Sequence, residues 1–193
     1  MSELLGLFLT FLVILNPPGL LLTWRSLSAE LDAARRWVSA IGGFSLATVG
    51  LLAAATFGDD VIDALDVSLS SFQVGTGLLL ILGVIRVFVM RDPWVAPRYE
   101  GGYSEAVAGL RLALWMATPA TLVAAAFYGA DRGALDTTVP LLVAIAVCGA
   151  AITAAHQVTS DAWLLGVREA GRGLAIVLIV IAVDLIFDGI RRV

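Results

Sequence analysis

The chain of 193 residues is 60% hydrophobic, and only 15% of its residues are charged. Ordinary soluble domains carry about 25% charged residues, so this composition predicts an integral membrane protein in one compact domain. The net charge of −4, without a cluster of basic residues, argues against nucleic-acid binding. Cys148 is the single cysteine, which excludes a disulfide within the chain and a cysteine-rich metal site. No cofactor or metal is expected.

Six apolar runs are long enough to cross a membrane, since a spanning helix needs about 20 mostly apolar residues. They cover residues 4–24, 37–57, 72–90, 107–128, 138–157 and 172–190. Between the second and third runs, residues 59–66 are acidic and amphipathic. This segment fits a short interfacial helix and a solvated loop equally well.

The arginines are distributed unevenly between the predicted loops. The first, third and fifth loops, with their edges, hold nine of the twelve arginines. Because cytoplasmic loops carry an excess of basic residues, we expect a multi-pass protein of the cell inner membrane with both termini outside. Trp94 and five other aromatic residues fall on the same side as these arginines, as an interfacial belt would.

Two prolines interrupt apolar runs at corresponding places in the chain. The first run contains Asn16-Pro17-Pro18-Gly19 and the fourth contains Ala117-Thr118-Pro119-Ala120, so Pro18 and Pro119 are 101 residues apart. Gly75-Thr76-Gly77 and Gly171-Arg172-Gly173 are expected to open the third and sixth helices. We therefore predict an all-α membrane protein with six transmembrane helices in two inverted three-helix repeats, residues 1–92 and 105–193. The first and fourth helices would be broken at proline.

Each interruption changes the hydrogen bonding of the backbone. Proline has no N–H, so a carbonyl four residues earlier loses its donor. Asn16 and Thr118 are suitable N-caps for half-helices that begin at the next proline. Free amides at such a start suit a carboxylate, and freed carbonyls suit an ammonium group or a cation. The first free amides would be those of Gly19, Leu20, Ala120 and Thr121.

The predicted substrate-binding residues follow from these two interruptions. They are Asn16, Pro17, Pro18, Gly19, Leu20, Thr118, Pro119, Ala120 and Thr121. The alternative is that both interruptions are simple proline kinks, which membrane helices tolerate.

Two ionisable residues lie within predicted spans, where charge is costly and often functional. Asp184 lies in the sixth run and Arg86 in the third. One interpretation is a structural Arg86–Asp184 ion pair, and the other is an ion-coupling carboxylate at Asp184. His156, the single histidine, is interpreted as a polar helix end rather than a proton carrier.

Several short motifs, in their order, carry a family resemblance. They are Asn16-Pro17-Pro18-Gly19, Leu22-Thr23 with Arg36, Phe57-Gly58, Leu65-Asp66-Val67-Ser68, Gly75-Thr76-Gly77-Leu78-Leu79 and the segment from Ile181 to Ile190. Together they resemble the MarC family of bacterial and archaeal inner-membrane proteins. The resemblance implies six helices in inverted repeats and, for some members, transport of glycine, alanine and similar amino acids. This chain departs from the family pattern in having fewer prolines in its fourth helix, and Asp184 where a neutral amide is usual.

The leading hypothesis is a secondary transporter of a small solute, with small neutral amino acids as the best substrate. The alternative is a non-transporting accessory or lipid-handling membrane protein. An enzyme is not expected, since Ser160 near His156 lacks a Gly-x-Ser-x-Gly motif. The expected partners are the lipid bilayer and a small-molecule substrate. Coupling to a proton or a sodium ion, and assembly into a homo-oligomer, are left open.

Overall fold

The computed structural model describes residues 3–89, 94, 103–155 and 161–192, with the backbone alone at residue 161. Within these ranges the chain forms nine helices and no strand. The helices are α1 (Glu3–Leu15), α2 (Pro17–Leu27), α3 (Ala33–Thr56), α4 (Gly58–Ala64), α5 (Leu69–Val89), α6 (Glu105–Met116), α7 (Pro119–Arg132), α8 (Ala134–Ala154) and α9 (Asp161–Arg191).

The long helices have the length and hydropathy of membrane spans. Five qualify directly, with α1 and α2 counted together as one span over Glu3–Leu27. A sixth follows if α6 and α7, which meet at 49°, form one bent span. Five to six candidate spans are therefore found among the described residues, as expected for an integral membrane protein. The acidic segment after the second run is helical as well, as α4.

Two details of the predicted helices are wrong. α5 begins at Leu69 and α9 at Asp161, so Gly75 and Gly171 lie inside their helices and do not open them. Ser68 precedes α5, and its hydroxyl accepts a hydrogen bond from the Ser71 amide at 3.2 Å. A serine is therefore the residue that starts this helix, as expected from its preference for helix N-termini.

The first residue of α1, Glu3, and Arg192, just after α9, lie at the same end of the helix bundle. The guanidinium of Arg132, at the end of α7, is 3.6 Å from the carboxylate of Glu3 in α1. The neighbouring Asp131 carboxylate accepts a 2.9 Å hydrogen bond from Arg192, after α9. At the other end, the Ser39 hydroxyl donates to the Glu105 carbonyl at 2.6 Å and joins the starts of α3 and α6. The helices therefore alternate in direction between these two ends.

Small residues bring α3 and α4 close to α7. A β-carbon added to Gly129 would overlap the carbonyl oxygen of Ala55, and one added to Gly58 would overlap the carbonyl oxygen of Ala126. Lipid tails are as apolar as leucine, so helix association in membranes depends on such close backbone approach. These two glycine contacts fix the second half of α7 against α3 and α4.

We expect Gly129→Ala to destabilise the fold by about 1–3 kcal/mol, since the added methyl group forces α3 and α7 apart. Gly42→Ala in α3 is the matched control, because an added β-carbon there has no atom within 4 Å. The measurement is the fraction of detergent-solubilised protein that stays monodisperse after heating. Equal loss in both variants would contradict the close α3–α7 contact.

Candidate functional site

The first interruption is organised by Asn16, between α1 and α2. Its backbone is left-handed, with φ 47° and ψ 69°, a conformation that asparagine tolerates better than most residues. The side-chain carbonyl accepts a 3.1 Å hydrogen bond from the Gly19 amide. The side-chain amide donates a 3.0 Å hydrogen bond to the carbonyl of Gly171 in α9. Asn16 is therefore both the N-cap of α2 and a tie between α2 and α9.

The expectation of free amides at Gly19 and Leu20 is wrong. The Gly19 amide donates to the Asn16 side chain, and the Leu20 amide donates to the Asn16 backbone carbonyl at 3.0 Å. One asparagine thus supplies both acceptors. The polar groups that remain are carbonyls: Pro17 and Pro18 cannot donate to those of Val13 and Ile14.

The second interruption lies between Met116, the last residue of α6, and Pro119, the first of α7. The Thr118 hydroxyl caps α7 by accepting from the Thr121 amide at 3.2 Å. The Thr121 hydroxyl in turn lies 2.8 Å from the Met116 carbonyl and satisfies it. The predicted free amide of Thr121 is therefore used by this cap. Ala120 is the second residue of α7, where an amide has no acceptor within its own helix, so its N–H is suited to a ligand.

A cavity of about 330 Å³ joins the two interruptions. Six of the nine predicted substrate-binding residues line it, namely Asn16, Leu20, Thr118, Pro119, Ala120 and Thr121. The rest of the wall comes mainly from the second half of α5, with Ala175 and Leu178 of α9. The structure thus brings together two segments that lie about a hundred residues apart in sequence.

The other three predicted residues lie elsewhere. Pro17 and Pro18 line a separate groove, beside α8 and α9. Gly19 is covered by the indole of Trp94, whose ring an added β-carbon would overlap. The same indole lies close to Gly171, so two glycines provide the space that Trp94 occupies.

Arg86 lies in the cavity wall together with two tryptophans. Its guanidinium carbon is 4.5 Å from the ring centroid of Trp115, a cation–π geometry. Trp94 meets Trp115 edge to face, with 6.3 Å between ring centroids. Trp94 is 5% exposed, and its indole N–H has no hydrogen-bond partner among the residues that the structure describes. The sequence reading missed both tryptophans as wall residues, although Trp115 lies just four residues before Pro119.

The predicted Arg86–Asp184 ion pair is wrong. Among the described residues, Arg86 forms no ion pair with Asp184 and contacts Trp115 instead. The reason is the register of two antiparallel helices. Gly77 of α5 packs against Ala182 of α9, and Arg86 is nine residues beyond Gly77, about 13 Å further along the axis. Asp184 lies on an exposed face of α9, outside the cavity wall. His156 and Ser160 are outside the described residues.

An aromatic layer separates the cavity from the end of the bundle at which Glu3 and Arg192 lie. Phe11 packs edge to face on Tyr128 at 5.6 Å between centroids, and Tyr128 on Phe127 at 5.1 Å. All three side chains are buried. Beyond them lie the ion pairs of Asp131 with Arg132 and Arg192. The bundle is thus tightly packed on one side of the interruptions and hollow on the other.

Comparison with known proteins identifies the family. The sequence model of the MarC family integral membrane proteins matches residues 1–193, the whole chain. Comparisons with curated proteins and with solved structures give no match. The motifs, the apolar helices and this match over the full length agree, and the chain belongs to the MarC family of integral membrane proteins.

Proposed function

We propose that this protein is a secondary transporter of a small solute, which binds in the cavity between the broken first and fourth spans. The observation that carries the proposal is that one cavity is lined by both interruptions. Discontinuous helices near the middle of the membrane are a common way to build a transporter's binding site, because backbone groups freed there can contact substrate.

Small neutral amino acids are the proposed substrates. Thr118 and Ala120, at the start of α7, and Ile14, whose carbonyl Pro18 cannot pair, all line the cavity. Leu79 and Leu80 provide apolar wall suited to a short aliphatic side chain. A zwitterion can use both kinds of backbone group, which agrees with the transport of glycine and alanine implied by the family resemblance.

The packing of the helices supports two inverted repeats over residues 1–92 and 105–193. Exchange of the halves by a two-fold axis would map α3 onto α8, α5 onto α9, and the α1–α2 span onto the α6–α7 span. Contacts of α3 with α6 and α7 would then match contacts of α8 with α1 and α2, and both sets occur. The α5–α7 and α2–α9 contacts form a second matching pair. We propose that one repeat rocks against the other to expose the cavity alternately.

A lipid-handling role is the second candidate, and one observation favours it. Leu82 and Gly83 line the cavity and are exposed on the outside of the bundle, so the cavity opens sideways between α5 and α7. An acyl chain could enter from the bilayer by this route. Such a protein would bind lipid and give no flux of small solutes.

Gly83→Leu should abolish exchange of labelled alanine in proteoliposomes, at least tenfold below the wild type. The new side chain would project into the cavity, while its β-carbon would meet no atom closer than Cβ of Ala120 at 3.9 Å. The fold should therefore survive. Counterflow of labelled alanine is the measurement.

Gly75→Leu is the control for this test, since it lies on the same helix, outside the cavity, with no atom within 4 Å of an added β-carbon. Normal alanine counterflow in Gly83→Leu would show that this cavity is not the route. No counterflow by the wild type would remove neutral amino acids as substrates.

We further propose Asp184 as the ion-coupling carboxylate, since none of the ion pairs among the described residues includes it. Asp184→Asn should keep alanine exchange but lose stimulation by an imposed pH or sodium gradient. Asp188→Asn, one turn along α9 and 3.7 Å from Arg191, is the matched control. Equal stimulation in wild type and Asp184→Asn would exclude this role.

The excess of arginine in the odd loops leads us to propose an inner-membrane protein with both termini outside. Ala64→Cys, in α4, should then react with an impermeant maleimide in intact spheroplasts. Ala34→Cys, in the first turn of α3, should react only after permeabilisation. Both alanines are exposed, and Cys148 is buried, so the wild type should stay unlabelled. Labelling of Ala34→Cys in intact spheroplasts, with Ala64→Cys labelled only after permeabilisation, would indicate the opposite topology.

A further inference from the structure

The charge of the cavity wall narrows the class of solute. The described residues that line it include Arg86 and no aspartate or glutamate. Arg86 lies in the last turn of α5 and is exposed, and none of the ion pairs among the described residues includes it. The cation–π contact with Trp115 stabilises one face of the guanidinium but brings no negative charge. As far as the structure describes it, the cavity wall therefore supplies a cation and no anion.

One backbone N–H group belongs to the same wall. Ala120 is the second residue of α7, a position whose amide has no acceptor within its own helix. Ala120 faces Gly83, and Gly83 is three residues before Arg86 and so shares its face of α5. Trp94 also lines the wall, but its indole N–H is covered by neighbouring atoms and has no partner among the described residues. The start of α7 and the face of α5 that carries Arg86 thus border one space.

We infer that Arg86 is the anion-binding residue of this cavity and that the solute presents a carboxylate to it. The inference rests on the proposed transport function and specifies its substrate class. A guanidinium binds a carboxylate through two parallel hydrogen bonds, a geometry that neither an ammonium group nor a neutral amide of a solute can match. The backbone amide of Ala120, in the first turn of α7, is the second donor on the same cavity wall. The carboxylate is the required group, and a solute that has only an ammonium group is rejected.

The experiment measures thermal stabilisation of the purified full-length protein in detergent by propionate, alanine and alaninamide. Propionate has the carboxylate alone, alaninamide the ammonium group alone, and alanine both. We expect propionate and alanine to stabilise the wild type and alaninamide not to. Arg86→Gln should lower the affinity for propionate and for alanine by at least about tenfold, as expected for loss of a charged hydrogen-bond partner. Arg86→Lys should retain part of the affinity for the carboxylate, because lysine keeps the positive charge but cannot form the two parallel hydrogen bonds of a guanidinium.

Arg111→Gln is the matched control. Arg111 also stacks on an aromatic ring, with its guanidinium carbon 4.8 Å from the centroid of Tyr103, but it does not line the cavity. The Arg111→Gln variant should bind propionate and alanine with the affinity of the wild type. If Arg86→Gln fails to fold, Arg86→Lys and the comparison of propionate with alaninamide on the wild type still decide the matter.

Each of three binding results would overturn the inference. The first is equal stabilisation by alaninamide and alanine, and the second is an unchanged affinity of Arg86→Gln for propionate and alanine. The third is stabilisation that depends on Arg86 and is given by phosphatidylglycerol but by neither carboxylate. The last would assign Arg86 to a lipid phosphate. A different result would contradict the proposed transport function: propionate and alanine would bind in a way that depends on Arg86, but no counterflow of alanine would occur. Alanine counterflow that persists unchanged in Arg86→Gln would instead leave transport standing and remove the inference.

Discussion

The structure depends on how two helices can be interrupted inside a hydrocarbon layer. An unpaired backbone group there costs several kcal/mol, so an interruption persists only if other groups satisfy the backbone. Asn16 does this for the first interruption, as acceptor for the Gly19 amide and as donor to the Gly171 carbonyl. Thr118 and Thr121 do it for the second, through hydroxyl groups. These caps use most of the freed polar groups, and few remain to contact a ligand.

The cavity follows from the same arrangement. Because Asn16 ties α2 to α9, the start of α2 is held against Gly171, and the two glycines beside it admit the Trp94 ring. At the second interruption, the 49° bend between α6 and α7 turns Trp115 and Ala120 towards α5. Small residues near both interruptions keep the space between them open. The opposite half of the bundle contains Phe11, Phe127 and Tyr128, which are buried and pack edge to face.

The sequence predicted the features that depend on residues close together in the chain. Apolar runs gave the spans, proline gave the positions of the interruptions, and the preferences of asparagine and threonine gave the caps. It did not predict which amides would stay free, because the left-handed backbone of Asn16 determines how that one side chain reaches Gly19. It also misplaced Arg86, since similar positions in two spans do not fix the register of antiparallel helices. Trp94 was interpreted as an interfacial residue, because nothing in the local sequence shows that glycines of α2 and α9 leave room for its ring.

The register of α5 and α9 constrains any coupling between an ion and the solute. Arg86 and Asp184 are about 13 Å apart along the bundle, so a proton on Asp184 has little direct effect on a solute beside Arg86. Coupling therefore requires an element with two positions that both sites bias. α9 is suited to this role, since it carries Asp184, packs along α5, and holds the Asn16 tie through Gly171. A shift of α9 that follows protonation of Asp184 would displace the Gly171 carbonyl, to which the Asn16 side chain donates. The backbone of the first interruption would then change its position. Because this backbone borders the cavity, protonation would alter the binding of the solute.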